Sequence, residues 1–112
     1  MNITDMTDLK RYGDALAIAY QERANALIAL KDAEQRQEEA KYQIYAEIAA
    51  SGDFKTATDR EYQTKNRLTQ DKTTYDRLEW EKAYIQKDAD VQALRAKYDA
   101  LRTIVAAEAE SK

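Results

Sequence analysis

The stretch that decides the fold is Ser51-Gly52-Asp53-Phe54-Lys55-Thr56-Ala57-Thr58, near the middle of a chain of 112 residues. It is the one interior cluster of turn-forming residues, because Pro is absent and Gly occurs only twice. Gly52 suits the left-handed residue that ends a helix, and Thr58-Asp59-Arg60-Glu61 has the capping-box pattern that begins one. The stretch therefore predicts a loop over 51–58, between a helix over about 5–50 and a helix over about 59–109.

Composition agrees with long helices that each bury one narrow apolar stripe. Charged residues make up 35% of the chain and its mean hydropathy is −0.84, which is too polar for a compact globule with a thick core. Disorder is disfavoured because 44% of the residues are apolar and eight are Tyr. We predict an all-α fold over residues 1–112, a single domain built as a long two-helix antiparallel coiled-coil hairpin.

The spacing of apolar residues supports a coiled coil. One stripe on the first helix, interrupted by Arg23 and Gln37, contains Leu9, Tyr12, Leu16, Ala19, Ala26, Leu30, Ala33, Ala40 and Ile44. On the second helix, steps of three and four join Val91, Leu94, Tyr98, Leu101 and Val105. Farther upstream, a second register contains Leu68, Tyr75, Leu78 and Ile85. The two registers differ in phase, which predicts a stutter near residues 87–90.

Folding the chain about residue 54 predicts that residue i of the first helix faces residue 108 − i of the second. Leu94 and Val91 then lie near Leu16 and Ala19, and Tyr75 lies beside Ala33. A second apolar stripe has no partner in a two-helix hairpin, so we expect self-association into a dimer or tetramer that forms a helical bundle. Its members are Ile18, Tyr20, Ala24, Leu27, Ile28, Tyr42, Tyr45, Ile48, Trp80, Tyr84 and Ile104.

The residue types disfavour catalysis. The chain has no His and no Cys, which removes thiolate zinc sites and the Glu-x-x-His pattern of di-metal carboxylate sites. Its acids alternate with bases at helical spacing, as in Asp32–Arg36, Glu61–Lys65 and Arg95–Asp99, which is typical of solvated ion pairs. We therefore predict no enzyme activity, no cofactor and no metal site.

Aromatic residues are the best candidates for binding a partner protein. Tyr and Trp are favoured at protein interfaces, although at the edge of a helical seam they also bury the ring and leave the hydroxyl in water. Phe54, at the predicted loop tip, either covers the helix ends or contacts a partner. The candidate partner-binding residues are Phe54, Tyr42, Tyr45, Tyr62, Trp80 and Tyr84.

Single-stranded nucleic acid is the alternative ligand. A strip at the start of the second helix combines bases with aromatic rings, as in strand-stacking sites; it contains Arg60, Lys65, Arg67, Lys72, Tyr75 and Arg77. Interspersed acids at Asp59, Glu61, Asp71 and Asp76 weaken this reading. A net charge of −3 also disfavours a duplex-DNA binder, which carries a basic patch. A third possibility is a structural spacer or virion component.

Targeting signals are not recognisable in the sequence. No apolar run approaches the 18 or so residues that a membrane span needs, so no membrane contact is expected. The start of the chain lacks the basic and apolar regions of a signal peptide. The expected location is cytoplasmic.

Met1-Asn2-Ile3-Thr4-Asp5-Met6-Thr7, two Tyr-rich helices and Asp59-Arg60-Glu61-Tyr62 together resemble small phage-encoded helical proteins. This resemblance spans most of the chain. It implies an accessory or inhibitor protein that acts on host or viral nucleic-acid machinery in recombination, replication or defence. It assigns no role to any particular residue.

Overall fold

The computed structural model describes residues 3–111, with side chains from residue 5 onward. Within this range three α-helices follow one another, α1 (Ile3–Ser51), α2 (Ala57–Thr69) and α3 (Lys72–Glu110), and there is no strand. The all-α prediction is thus confirmed. The two-helix hairpin is wrong in one respect, because two helices replace the single second helix that was predicted.

The start of α2 lies two residues earlier than the capping box predicts. Thr56 has an extended backbone, with φ −106° and ψ 152°, and its hydroxyl oxygen accepts a hydrogen bond from the backbone N–H of Asp59 at 3.1 Å. Thr56 is therefore the N-cap, and Thr58 lies already inside the helix. The Thr58–Glu61 capping box is wrong because an equivalent side chain, in the required extended conformation, comes first along the chain.

Gly52 ends α1 with a positive φ of 74°, as the sequence predicts. A Cβ atom at this position would meet no atom within 4 Å, so the requirement for Gly is set by the backbone alone. We expect Gly52→Ala to lower the free energy of unfolding by about 1 kcal/mol. Gly52→Asn should cost less, because Asn tolerates this conformation. Urea denaturation followed by circular dichroism checks both; equal stability of Gly52→Ala and wild type would contradict the prediction.

The break between α2 and α3 rests on the Asp71 side chain. The backbone N–H of Thr73 donates to Asp71 Oδ2 at 3.0 Å, and the Thr73 hydroxyl donates to the same oxygen. The Thr74 hydroxyl donates to the carbonyl oxygen of Leu68, a carbonyl near the end of α2. These bonds offer the backbone an alternative to continuous helix, which is how Asp and Thr act at helix starts.

The same hydrogen bonds from Thr73 hold the pKa of Asp71 below its usual 3.8. A lowered pKa means that the cap stabilises the fold above about pH 4 and that this contribution is lost as the pH falls through the lowered value. Asp71→Ala should lower the free energy of unfolding by about 1 kcal/mol near pH 7. Asp71→Asn should keep the cap but remove its dependence on pH. Denaturation at pH 7 and pH 3 checks this; an Asp71→Asn protein with the wild-type pH profile would overturn it.

The chain divides into two compact units. The first contains Met1–Ala26 and Tyr84–Lys112, and the second contains Leu27–Ala83. In the first unit, Leu16, Ala19 and Val91 form a buried cluster against which Leu94 and Tyr98 pack. The predicted approach of Leu94 and Val91 to Leu16 and Ala19 is thereby confirmed, and α1 and α3 run antiparallel in this unit.

The register of this pairing differs from the predicted one by up to three residues. A Cβ at Gly13 would lie 3.2 Å from Tyr98 Cε2, whereas the predicted partner is residue 95. Arg23 Nη1 lies 2.9 Å from Asp88 Oδ1, whereas the predicted partner is residue 85. Gly13 therefore marks a close approach of a tyrosine ring, and Arg23, the polar interruption of the stripe, is explained by its ion pair across the two helices.

The second unit combines the later part of α1 with α2 and the beginning of α3. Leu30, Ala33 and Ile48 are buried on α1, and Ile48 is completely inaccessible to solvent. Gln37, the other polar interruption, donates from Nε2 to Thr74 Oγ1 at 3.0 Å. Both interruptions of the predicted stripe thus form polar contacts across helices.

The register predicted for the first part of α3 is wrong. Tyr75, Leu78 and Ile85 are exposed, and Tyr75 is therefore not packed beside Ala33. The half-buried residues at the seven-residue spacing of Val91 and Leu94 are instead Thr73, Arg77, Tyr84 and Lys87. Because this face of α3 continues through polar residues, the predicted stutter near residues 87–90 is not needed to explain the pattern.

Candidate functional site

The predicted second apolar stripe is largely exposed in the structure. Ile18, Ile28, Tyr42 and Ile104 all lie open to solvent, and Ile28 is 69% exposed. Ile48 is fully buried at the end of α1, and Tyr45 and Tyr84 are half-buried. Exposed apolar side chains mark an interaction surface where they form a contiguous patch, and the predicted self-association stays a prediction.

Within the second unit, α1 and α2 form a groove of about 620 Å³. Its lining residues are Lys41, Tyr42, Tyr45, Glu61, Thr64, Lys65 and Leu68. The groove arises because α1 presents residues spaced by three and four toward α2, which presents its own residues at the same spacing. Its volume falls within the roughly 300–1,000 Å³ that is usual for ligand pockets.

The floor of the α1–α2 groove is apolar. Tyr45 and Leu68 are half-buried there, and Thr64 is only 3% exposed. The Thr64 hydroxyl donates to the carbonyl oxygen of Arg60 at 2.7 Å, so its single donor hydrogen is used within α2. Tyr42 is 67% exposed at the edge of this groove, with its ring available for contact.

Two ammonium groups belong to the same lining, Lys41 on α1 and Lys65 on α2. Asp32–Arg36 and Arg95–Asp99 form the predicted ion pairs at 3.0 and 4.0 Å. The predicted pair Glu61–Lys65 does not form, and among the described residues neither Lys41 nor Lys65 has a carboxylate oxygen within 4.0 Å. The groove thus carries two ammonium groups that form no ion pair with the described residues.

The other predicted partner-binding residues lie outside this groove. Phe54 is half-buried in the loop, where its carbonyl oxygen accepts a hydrogen bond from Arg60 Nη1 at 3.2 Å. Tyr62 on α2 is 63% exposed. Trp80, also exposed, lines a smaller cleft of about 240 Å³ with Asp32 and Arg36. Tyr84 is half-buried and belongs to the first unit. The structure therefore brings together only Tyr42 and Tyr45 of the predicted set.

The predicted nucleic-acid strip is partly committed to other contacts. Arg60 bonds the Phe54 carbonyl and its Nε is buried without a hydrogen-bond partner in the described part of the chain. Arg77 Nη1 lies 2.9 Å from Glu81 Oε2. The exposed members are Lys65, Arg67, Lys72 and Tyr75. Two of the strip's five guanidinium and ammonium groups, those of Arg60 and Arg77, are thus occupied within the chain.

Of the three described side chains with a shifted pKa, Asp5 and Lys87 lie in the first unit and Asp71 in the second. Removal from water and the neighbouring Glu108 raise the pKa of Asp5 above its usual 3.8. The hydrogen bond that Lys87 donates to Glu22 at 2.9 Å raises the pKa of Lys87 above 10.5. Residues 3–111 contain no group of three or more carboxylates placed to hold a metal ion. No helix in this range is both long and apolar enough to cross a bilayer.

Comparison of the chain with protein-family models, with curated proteins and with solved structures gives no match. The geometry of the exposed surfaces is therefore the basis for assigning a function.

Sequence reasoning missed Lys41 and Leu68 as members of the groove. Lys41 lies four residues before Tyr45, on the same face of α1, and this spacing is a signal that could have placed it. Leu68 was assigned to a seam on the second helix, and the predicted register places it opposite residue 40, next to Lys41 in the sequence.

Proposed function

We propose that this protein is a non-enzymatic protein-interaction module, which binds other chains through the α1–α2 groove of its second unit and the exposed ring of Tyr42 beside it. The observation that carries the proposal is this groove, in which the Tyr42 side chain is 67% exposed. Aromatic side chains bury a large area with few rotatable bonds, and they dominate the binding energy of many interfaces.

Self-association is part of this proposal. The exposed residues of the second stripe would be covered in a dimer or tetramer, and closed symmetric assemblies are the usual result for a single chain type. The resemblance to small phage-encoded helical proteins adds the class of partner. We infer that the chain acts as an accessory or inhibitor protein on nucleic-acid machinery, by contact with a protein of that machinery.

Light scattering coupled to gel filtration tests this function, with and without a single-stranded dT20 oligonucleotide. A dimer or tetramer whose mass is unchanged by the oligonucleotide is the expected result. A stable complex with dT20 would favour nucleic-acid binding through Lys65, Arg67 and Lys72 instead. A monomer that ignores dT20 would contradict the self-association.

A further inference from the structure

The α1–α2 groove differs from the other exposed surfaces, because it combines an apolar floor with uncommitted cations. We propose that it binds an acidic peptide segment of a partner protein, in which one large apolar side chain is flanked by carboxylates. This inference rests on the proposed function and adds to it the chemistry of the partner.

The apolar part of the segment is set by the floor. Tyr45, Thr64 and Leu68 offer ring, methyl and branched aliphatic surface, and the Thr64 hydroxyl donates its hydrogen within α2. A large apolar side chain placed there would lose water contact together with the exposed ring of Tyr42. Pockets with this lining take a hydrophobic anchor, while a few polar groups fix its orientation.

The acidic part of the segment is set by Lys41 and Lys65. These ammonium groups come from different helices and line one groove, and within the described residues no carboxylate is close enough to pair with either. The lining contains two lysines and one acid, Glu61, so the net charge of the groove is positive. Charge complementarity at such a rim selects partners and raises the rate of association.

Single-stranded nucleic acid fits this surface less well than a peptide does. Tyr42 also borders a cleft that it shares with Glu34, Glu38 and Glu39, so a nucleotide whose base stacks on the Tyr42 ring would bring its phosphates close to three carboxylates. A peptide can place a carboxylate toward Lys41 and Lys65 and a neutral or basic residue toward the glutamates. The acidic neighbourhood thus favours a ligand whose charge varies along its length.

The test is a selection from a random 12-residue peptide display library on immobilised full-length protein. Selected peptides are then made with a fluorescein label and titrated by anisotropy. We expect enriched peptides to carry Asp or Glu beside Trp, Phe or Leu. Lys41→Glu with Lys65→Glu should weaken their binding by about tenfold or more. Lys55→Glu with Lys97→Glu changes two exposed lysines that line neither this groove nor the neighbouring acidic cleft; it is the matched control and should change binding less than about twofold.

Each other outcome overturns the inference, and the outcomes differ in what they say of the proposed function. Enriched peptides that are not acidic, or whose binding ignores the Lys41 and Lys65 changes, would leave an interaction module with a different site. A library without any enriched peptide would count against the module itself. If labelled dT20 binds wild type and loses affinity for the Lys41→Glu, Lys65→Glu variant, nucleic acid would be identified as the ligand. Circular dichroism of both double variants confirms that each remains folded.

Discussion

Ile48→Ala is expected to lower the free energy of unfolding by about 2–5 kcal/mol. Ile48 is completely inaccessible to solvent, although it lies within four residues of the end of α1. Removal of three carbons there loses the transfer free energy of those groups and leaves a cavity. Few apolar side chains of the described residues are buried, so the loss of one is large relative to their total contribution. The buried apolar residues are Leu16, Ala19, Ala26, Leu30, Ala33, Ile48 and Val91.

Ile85→Ala is the matched control, since it makes the same chemical change at a side chain outside the second apolar stripe. Ile85 is 61% exposed, so its replacement should change the free energy of unfolding by less than about 0.5 kcal/mol. Urea denaturation of both variants, followed by circular dichroism, measures the difference. Equal losses at Ile85 and Ile48 would mean that the end of α1 is not packed as described.

Val91→Asp is expected to have an effect of similar size in the first unit. Val91 is 2% exposed and lies in the cluster with Leu16 and Ala19, where α1 and α3 meet. A carboxylate at this position would have no cation among these apolar neighbours. An uncompensated buried charge costs about 3–5 kcal/mol, so we expect the packing of α1 on α3 to be lost.

Ala96→Asp is the control for this prediction, because Ala96 is exposed on the same helix. Thermal denaturation should give a melting temperature near that of wild type for Ala96→Asp and a much lower one for Val91→Asp. Hydrogen exchange locates the destabilised segment. The backbone amides of Leu94 and Tyr98 should lose protection in Val91→Asp. A Val91→Asp protein as stable as Ala96→Asp would refute the antiparallel packing of this unit.

The apolar stripe of α1 could be predicted from the sequence because nearly every position at the seven-residue spacing carries an apolar side chain. Even its interruptions were informative, since Arg23 and Gln37 bond across to Asp88 and Thr74. On the first part of α3 the same method failed, although it placed Val91 and Leu94 correctly. Polar residues such as Thr73 and Lys87 occupy the half-buried positions, while apolar Ile85 is exposed. Hydropathy alone follows the wrong face in such a segment.

The break at Asp71 was missed for a related reason. Neither Gly nor Pro marks it. The helix is ended by hydrogen bonds that the Asp71 carboxylate accepts and that the Thr74 hydroxyl donates, and residue composition does not reveal them. The groove was half predictable, because Tyr42 and Tyr45 were candidates from residue type. Its other wall was placed approximately by the predicted register, which sets residues 41–45 opposite residues 63–67, close to the residues of α2 that line the groove.

Tyr42 and Tyr62 provide the most direct test of the central claim, that the α1–α2 groove is a docking surface for another protein. Both rings are exposed, by 67% and 63%, and only Tyr42 lines the groove. The measurement is the dissociation constant of the most enriched display peptide for wild type, Tyr42→Ala and Tyr62→Ala. We predict that Tyr42→Ala weakens binding by about tenfold or more, and that Tyr62→Ala changes it less than about twofold. Equal effects of the two changes, or a larger effect of Tyr62→Ala, would contradict the claim.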